Sequence, residues 1–197
     1  NTGFKVTEEY YLLLLLSTLG AVVLILASHM ASLLLGMELL GISLYAMIAF
    51  PEKDPNPLEG AIKYLVLSAA ASAMLLFGFA LIYAATGDLS YTGIGAKLSS
   101  AGIKNPLLVV AGTSMLLASI GFKLSLAPFH MWTPDVYQGA PTPVTNFLAT
   151  VSKGAMLVAL SRFTIDGQLH QYPTFMLCLS VLAIISMLVG NWLALRQ

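Results

Sequence analysis

The chain is organised as long apolar runs separated by short polar segments. About 20 apolar residues in a helix span the roughly 30 Å hydrocarbon core of a bilayer, and six runs qualify. They cover roughly Tyr10–Ala27, Met30–Phe50, Leu58–Ala85, a run starting near Pro106, Pro143–Ile165 and Thr174–Leu195. The link near Ser28-His29 is too short to cross anything, so the first two runs form an antiparallel hairpin. Pro51-Glu52-Lys53-Asp54-Pro55-Asn56-Pro57 reads as an exposed loop, because its prolines and charges oppose a buried helix. Thr86–Asn105 is polar and glycine-rich and reads as a water-exposed connection, and Asp166–Pro173 as a short loop. The third run carries Ser68-Ala69-Ala70-Ala71-Ser72-Ala73, whose small side chains allow another membrane helix to approach closely. The fourth run begins at a proline, a favourable first-turn residue, and meets Pro128 and Pro134 before its apolar character ends. The expected fold is an all-α polytopic membrane protein of about six transmembrane helices, the fourth broken near Pro128.

Composition agrees with the pattern. Of 197 residues, 58% are hydrophobic and 9% charged, against about 25% charged in an ordinary soluble domain. Lys and Arg total 9, as do Asp and Glu. The resulting zero net charge argues against nucleic-acid binding, which needs a cationic field. The single cysteine, Cys178, cannot form an internal disulfide, and no Cys/His cluster has zinc spacing. Lys5, Lys53 and Arg196 balance Lys97, Lys104 and Arg162 across the two faces, so charge does not set the orientation. The chain starts at Asn1 without a basic leader and stops directly after an apolar run, as an internal piece of a longer polytopic chain would.

Four ionisable residues stand inside the apolar runs, on four different helices: Glu38, Lys63, Lys123 and Lys153. A charge at the bilayer centre costs at least about 2.5–3.5 kcal/mol, and such residues face a partner or a hydrated cavity. Glu38 is about 12 Å into its helix and Lys153 about 15 Å into its own, at 1.5 Å per residue. Glu38 has only apolar neighbours in its own sequence, and Lys153 has no local partner; the alternative to function is a static ion pair that fixes packing. Lys63 lies one turn after Glu59, a favourable i,i+4 pair, and its stem can carry the ammonium to the interface. Lys123 lies in Gly121-Phe122-Lys123-Leu124-Ser125-Leu126-Ala127-Pro128-Phe129-His130. Pro128 cannot donate to the carbonyl of Leu124 and clashes with it, so the helix opens beside Lys123, as broken helices of transporters do at ion sites. His130 follows at once and is suited to proton exchange, or else to capping. Burial disfavours a lysine ammonium and a nearby carboxylate favours it. A lysine whose distance from a carboxylate changes can therefore alternate between holding and releasing a proton. On this reading Glu38 modulates Lys123, and Lys123, His130 and Lys153 form a lateral proton path.

The run from Gly121 through Met131-Trp132-Thr133-Pro134-Asp135-Val136-Tyr137-Gln138-Gly139-Ala140-Pro141-Thr142-Pro143-Val144 resembles the antiporter-like membrane subunits of respiratory complex I. Pro134-Asp135-Val136-Tyr137-Gln138-Gly139 and Ala149-Thr150-Val151-Ser152-Lys153 favour the bacterial subunit N branch, equivalent to mitochondrial subunit 2. Met37-Glu38-Leu39, Ala61-Ile62-Lys63-Tyr64, Lys123 and Lys153 match the acid and the three lysines of that family. The resemblance covers essentially the whole chain. It implies a proton-translocating role for Glu38, Lys63, Lys123 and Lys153, coupled to quinone reduction elsewhere in NADH–quinone oxidoreductase, and His130 joins them as a candidate by its place beside the break. It also implies a five-helix antiporter-like unit over residues 1–165, with 166–197 supplying a loop and the first helix of a second, inverted unit. No cofactor is expected on this chain; NADH and quinone belong to the whole complex. The implied partners are other membrane and peripheral subunits of complex I and the lipid bilayer, and the implied location is a bacterial inner membrane. Three alternatives remain. One is a subunit of an Mrp-type cation/proton antiporter. Another is the corresponding membrane subunit of a chloroplast-type or cyanobacterial dehydrogenase. The third is a scaffold whose charges only fix packing.

Overall fold

The structure is a computed structural model and describes residues 8–50, 55–100 and 105–196. Those residues are helical almost throughout. Helices α1 (Glu8–Leu26) and α2 (Met30–Ala49) form the expected hairpin; α3 is Pro55–Thr86, α4 Tyr91–Ser99 and α5 Pro106–Leu124. Beyond the break come α6 (Trp132–Gly139), α7 (Thr142–Phe147), a π-helical turn (Leu148–Ser152) and α8 (Lys153–Asp166). A 3₁₀ turn at Leu169–Gln171 leads into α9 (Pro173–Ala194). Six helices are long and apolar enough to cross a membrane, with α7, the π turn and α8 forming one continuous span, Thr142–Asp166.

Two expectations are corrected. Residues 51–54 of the proposed proline-rich loop lie outside the described residues, but Pro55 and Pro57 already belong to the first turn of α3. A first-turn residue has no intrahelical acceptor for its N–H, so a proline there loses nothing. The connection 86–105 is not simply water-exposed, because it contains α4, whose Tyr91, Ile94 and Gly95 are buried. The Ser90 hydroxyl caps α4 by accepting from the Gly93 N–H at 3.1 Å, and α4 packs on α8. Lys5, Lys53 and Lys104, half of the cations in the charge balance, lie outside the described residues.

In the packing, α1 lies along α2, α3 runs between α2 and α5, and α8 closes the bundle against α1 and α5. Glycines set the closest crossings. A Cβ on Gly78 would lie 2.8 Å from the Gly112 carbonyl oxygen, and one on Gly112 would lie 2.7 Å from the Gly78 carbonyl oxygen. The backbones of α3 and α5 therefore touch where neither residue has a side chain, the small-residue contact of membrane helices. The core joins Leu24, Leu33, Leu40 and Leu44 from the hairpin to Leu75, Leu116, Val144 and Phe163. The outward faces remain apolar, with Leu15, Leu26, Leu35 and Val66 exposed, as befits surfaces meeting lipid. Helix α9 stands apart: Phe175 is its one buried residue.

Candidate functional site

The site is built around the end of α5. The helix stops at Leu124, four residues ahead of Pro128, because Pro128 has no N–H for the Leu124 carbonyl. Ser125 adopts the left-handed conformation (φ 58°). Its N–H donates to the Phe122 carbonyl at 3.0 Å and the Leu126 N–H to the Gly121 carbonyl at 2.8 Å, the Schellman pattern of a helix end. Side chains add further bonds to the opened backbone. Lys153 Nζ donates to the Leu124 carbonyl at 3.1 Å. Trp132 Nε1 donates to the Phe122 carbonyl at 3.0 Å. The Ala127 N–H donates to Ser186 Oγ of α9 at 3.0 Å. The Ala127–Pro128 peptide is cis. An opened backbone at this depth is tolerated only with such partners.

Lys123, in the last turn of α5, is 7% exposed. Its Nζ donates to Ser68 Oγ on α3, and the Tyr45 hydroxyl of α2 donates to the same oxygen. One turn further along α3, Ser72 Oγ donates to the Glu38 carboxylate of α2. Among the described residues no ion pair joins Glu38 to Lys123; two serines four residues apart on one face of α3 link them. Gly41 borders this cluster, and a side chain there would press on the Tyr45 hydroxyl while only touching the Lys123 ammonium. A Cβ there would lie 2.9 Å from Tyr45 Oη and 3.5 Å from Lys123 Nζ.

Lys153 forms a second cluster. It follows the π-helical turn directly and donates to Ser125 Oγ as well as to the Leu124 carbonyl. Thr133 Oγ1 donates to the same Ser125 oxygen at 2.6 Å. Its ammonium lies 5.6 Å from the Trp132 ring centroid and 5.9 Å from that of Tyr137, within cation–π range. Trp132 stacks on Tyr64, with centroids 4.6 Å apart and planes 16° from parallel. Tyr64 in turn lies 5.7 Å from Lys123 Nζ. A stacked aromatic pair thus connects the two lysines, and no chain of described hydrogen bonds does.

The remaining sequence-derived candidates lie outside these clusters. Lys63 is half-exposed and pairs with Glu59, as its spacing predicts, and also with Asp135 of α6, each at 2.8 Å. The three residues line an open polar pocket of about 370 Å³ together with Gly60, Gln138 and Gly139. His130 Nδ1 is buried without a hydrogen-bond partner among the described residues, and His130 joins neither lysine cluster. Sequence reasoning assigned no polar role to Ser68, Ser72, Tyr45, Ser125, Thr133 or Asp135. The i,i+4 spacing of Ser68 and Ser72 was visible, but which helices that face meets was not.

A family profile described as the NADH:quinone oxidoreductase/Mrp antiporter transmembrane region matches residues 27–197. The chain belongs to this antiporter family. Curated relatives include the NADH-quinone oxidoreductase subunit N of Nitrosospira multiformis, 51% identical over 89% of this chain and 34% of its own length. The subunit of the same name from Methylococcus capsulatus is 52% identical over 95% of this chain and 38% of its own. The chain thus spans little more than a third of the length of these relatives. Among solved structures, respiratory complex I from Thermus thermophilus with bound aureothin superposes with a TM-score of 0.81. That match has 39% identity and covers 99% of this chain and 41% of the other. The Mrp complex of a Dietzia species matches with a TM-score of 0.68 at 21% identity, over 77% of this chain and 28% of that one. At that identity the likeness is one of antiporter-family fold alone. The chain is a membrane protein of this family.

Proposed function

We propose that this chain is a proton-translocating portion of the membrane subunit N of bacterial NADH–quinone oxidoreductase, multi-pass in the inner membrane. The observation that carries the reading is Lys123. It is a nearly fully buried lysine at the end of a broken membrane helix, hydrogen-bonded to a hydroxyl and linked through α3 toward a carboxylate. A lysine held by a strong permanent ion pair keeps its proton; one held by a hydroxyl can lose it. The identity to subunit N relatives supports this reading over an Mrp-type antiporter. In it Lys123 and Lys153 carry protons, Glu38 sets the field at Lys123, and Lys63 with Asp135 forms a charged polar mouth at the surface. His130 takes part only if water or movement brings it to one of the lysines. The chain carries no redox group of its own; NADH oxidation and quinone reduction occur on partner subunits, and the outward faces meet lipid.

The test replaces Lys123 and, separately, Lys153 by alanine in the full-length subunit within the assembled complex, reconstituted in vesicles. The expected result is loss of proton translocation with the complex still assembled. Translocation at the wild-type rate in Lys123→Ala overturns the reading, and sodium-dependent transport redirects it to cation/proton antiport.

A further inference from the structure

The immediate partner of Lys123 is not a carboxylate but the Ser68 hydroxyl. We infer that Ser68 is the positioning residue that keeps Lys123 able to both hold and release its proton; this rests on the proton-translocating reading above.

The argument is one of hydrogen-bond capacity. A hydroxyl has one donor hydrogen and two acceptor lone pairs, whereas a carboxylate only accepts. A carboxylate in contact with Lys123 would satisfy the ammonium and leave the neutral amine facing a negative charge. Ser68 Oγ serves both states. It accepts from the ammonium, as observed, and when the proton has left, its O–H can turn and donate to the amine lone pair. Ser68 has no exposed surface, so water is not the ready substitute it would be at the surface. Tyr45 donates to the same oxygen and holds it in place. Ser72, one turn away, occupies Glu38 with a hydrogen bond of its own, so Glu38 acts on Lys123 through space rather than by contact. Gly41 leaves room for the arrangement: its absent Cβ would lie 2.9 Å from Tyr45 Oη.

The titratable groups that bear on Lys123 are Glu38, electrostatically, and Tyr45 from α2, and Tyr64 from α3. Lys153 of α8 lies across the break, bonded to the carbonyl of the next residue. Only Ser68 among the surrounding polar groups contacts the ammonium by a described hydrogen bond.

The test measures proton translocation against pH in the assembled complex with Ser68→Ala, Ser68→Cys and Ser68→Thr, beside Lys123→Ala. Removing the hydroxyl costs the ammonium more than the amine, because the charge-assisted bond is the stronger of the two. The alkaline limb in Ser68→Ala is expected to move down by about one pH unit, a tenfold change in proton affinity. Ser68→Cys, with weaker hydrogen bonding and similar shape, moves it less, and Ser68→Thr returns it toward wild type. An unchanged limb in Ser68→Ala, with translocation abolished in Lys123→Ala, overturns the role of Ser68 and leaves the proton reading standing. A limb displaced equally in Ser68→Thr and Ser68→Ala also overturns it, because the hydroxyl is then not the agent. Full translocation in Lys123→Ala overturns the proton reading itself.

Discussion

Lys153 donates to the main-chain carbonyl of Leu124 at 3.1 Å, the carbonyl that Pro128, four residues on, cannot serve. One lysine therefore both stabilises the broken helix and stands as a proton-carrying candidate. Lys153→Met keeps an apolar stem and removes the donors, leaving that carbonyl short of a partner and the Ser125 hydroxyl with Thr133 alone. A buried polar group left unpaired costs about 1–3 kcal/mol. Thermal melting of the purified complex in detergent should fall accordingly, and proton translocation should be lost with it. Lys153→Arg restores donors and is expected to recover melting more than translocation, because guanidinium does not release its proton.

The crossing of α3 and α5 offers a purely steric prediction. Gly78→Ala places a methyl 2.8 Å from the Gly112 carbonyl oxygen. The contact is with backbone, so the helices must separate. Overpacking of this kind costs about 1–3 kcal/mol, read as lowered thermal stability. Gly154 has open space around its Cβ position, so Gly154→Ala should be nearly silent in the same assay.

Asp135 and Lys63 test how much a surface ion pair matters here. Their side chains are 55% and 44% exposed, and exposed pairs are worth about 0.2–1 kcal/mol. A double-mutant cycle of Lys63→Met and Asp135→Asn should give a coupling energy in that range. If Lys63→Met nonetheless reduces translocation strongly, its role is in proton delivery rather than in stability.

Asp88, in the turn between α3 and α4, titrates with a definite sign. The Ser90 N–H and hydroxyl both donate to its carboxylate at 2.8 Å and hold its carboxyl below the usual carboxylate range. The folded state thus binds that proton less tightly than the unfolded chain. The stabilisation is complete above the unfolded value of about 3.9 and disappears as the pH falls through the lower folded value. Protection of the amides at 88–93, taken relative to their intrinsic exchange rate at each pH, should fall on acidification in the wild type, and Asp88→Asn should flatten that dependence.

All six spans were legible, because length and apolarity alone decide what can cross a bilayer. The break beside Lys123 was legible too, since a proline inside a helix names the carbonyl it deprives. What replaced the lost hydrogen bond was not, because Lys153 reaches Leu124 from 29 residues away along a helix whose rotation depends on a π turn. Glu38 and Lys123 were picked out by the cost of burying charge, but the two serines between them read as small packing residues. A serine on a membrane helix looks the same in sequence whether it faces backbone, lipid or an ammonium. Helix α4 was missed because its glycines and serines imitate a loop, and burial of Tyr91 and Ile94 against α8 outweighs that local preference.

The Ala127 N–H ends on Ser186 of α9. The fourth span is therefore not closed by the first five spans alone: one of its freed backbone groups is held from the sixth. If α9 shifts by more than a hydrogen bond's reach, an amide at membrane depth is orphaned unless the break refolds or water enters. The contact acts as a mechanical tie, through which displacement of the next stretch of protein is felt one bond away from the proline that opened the helix.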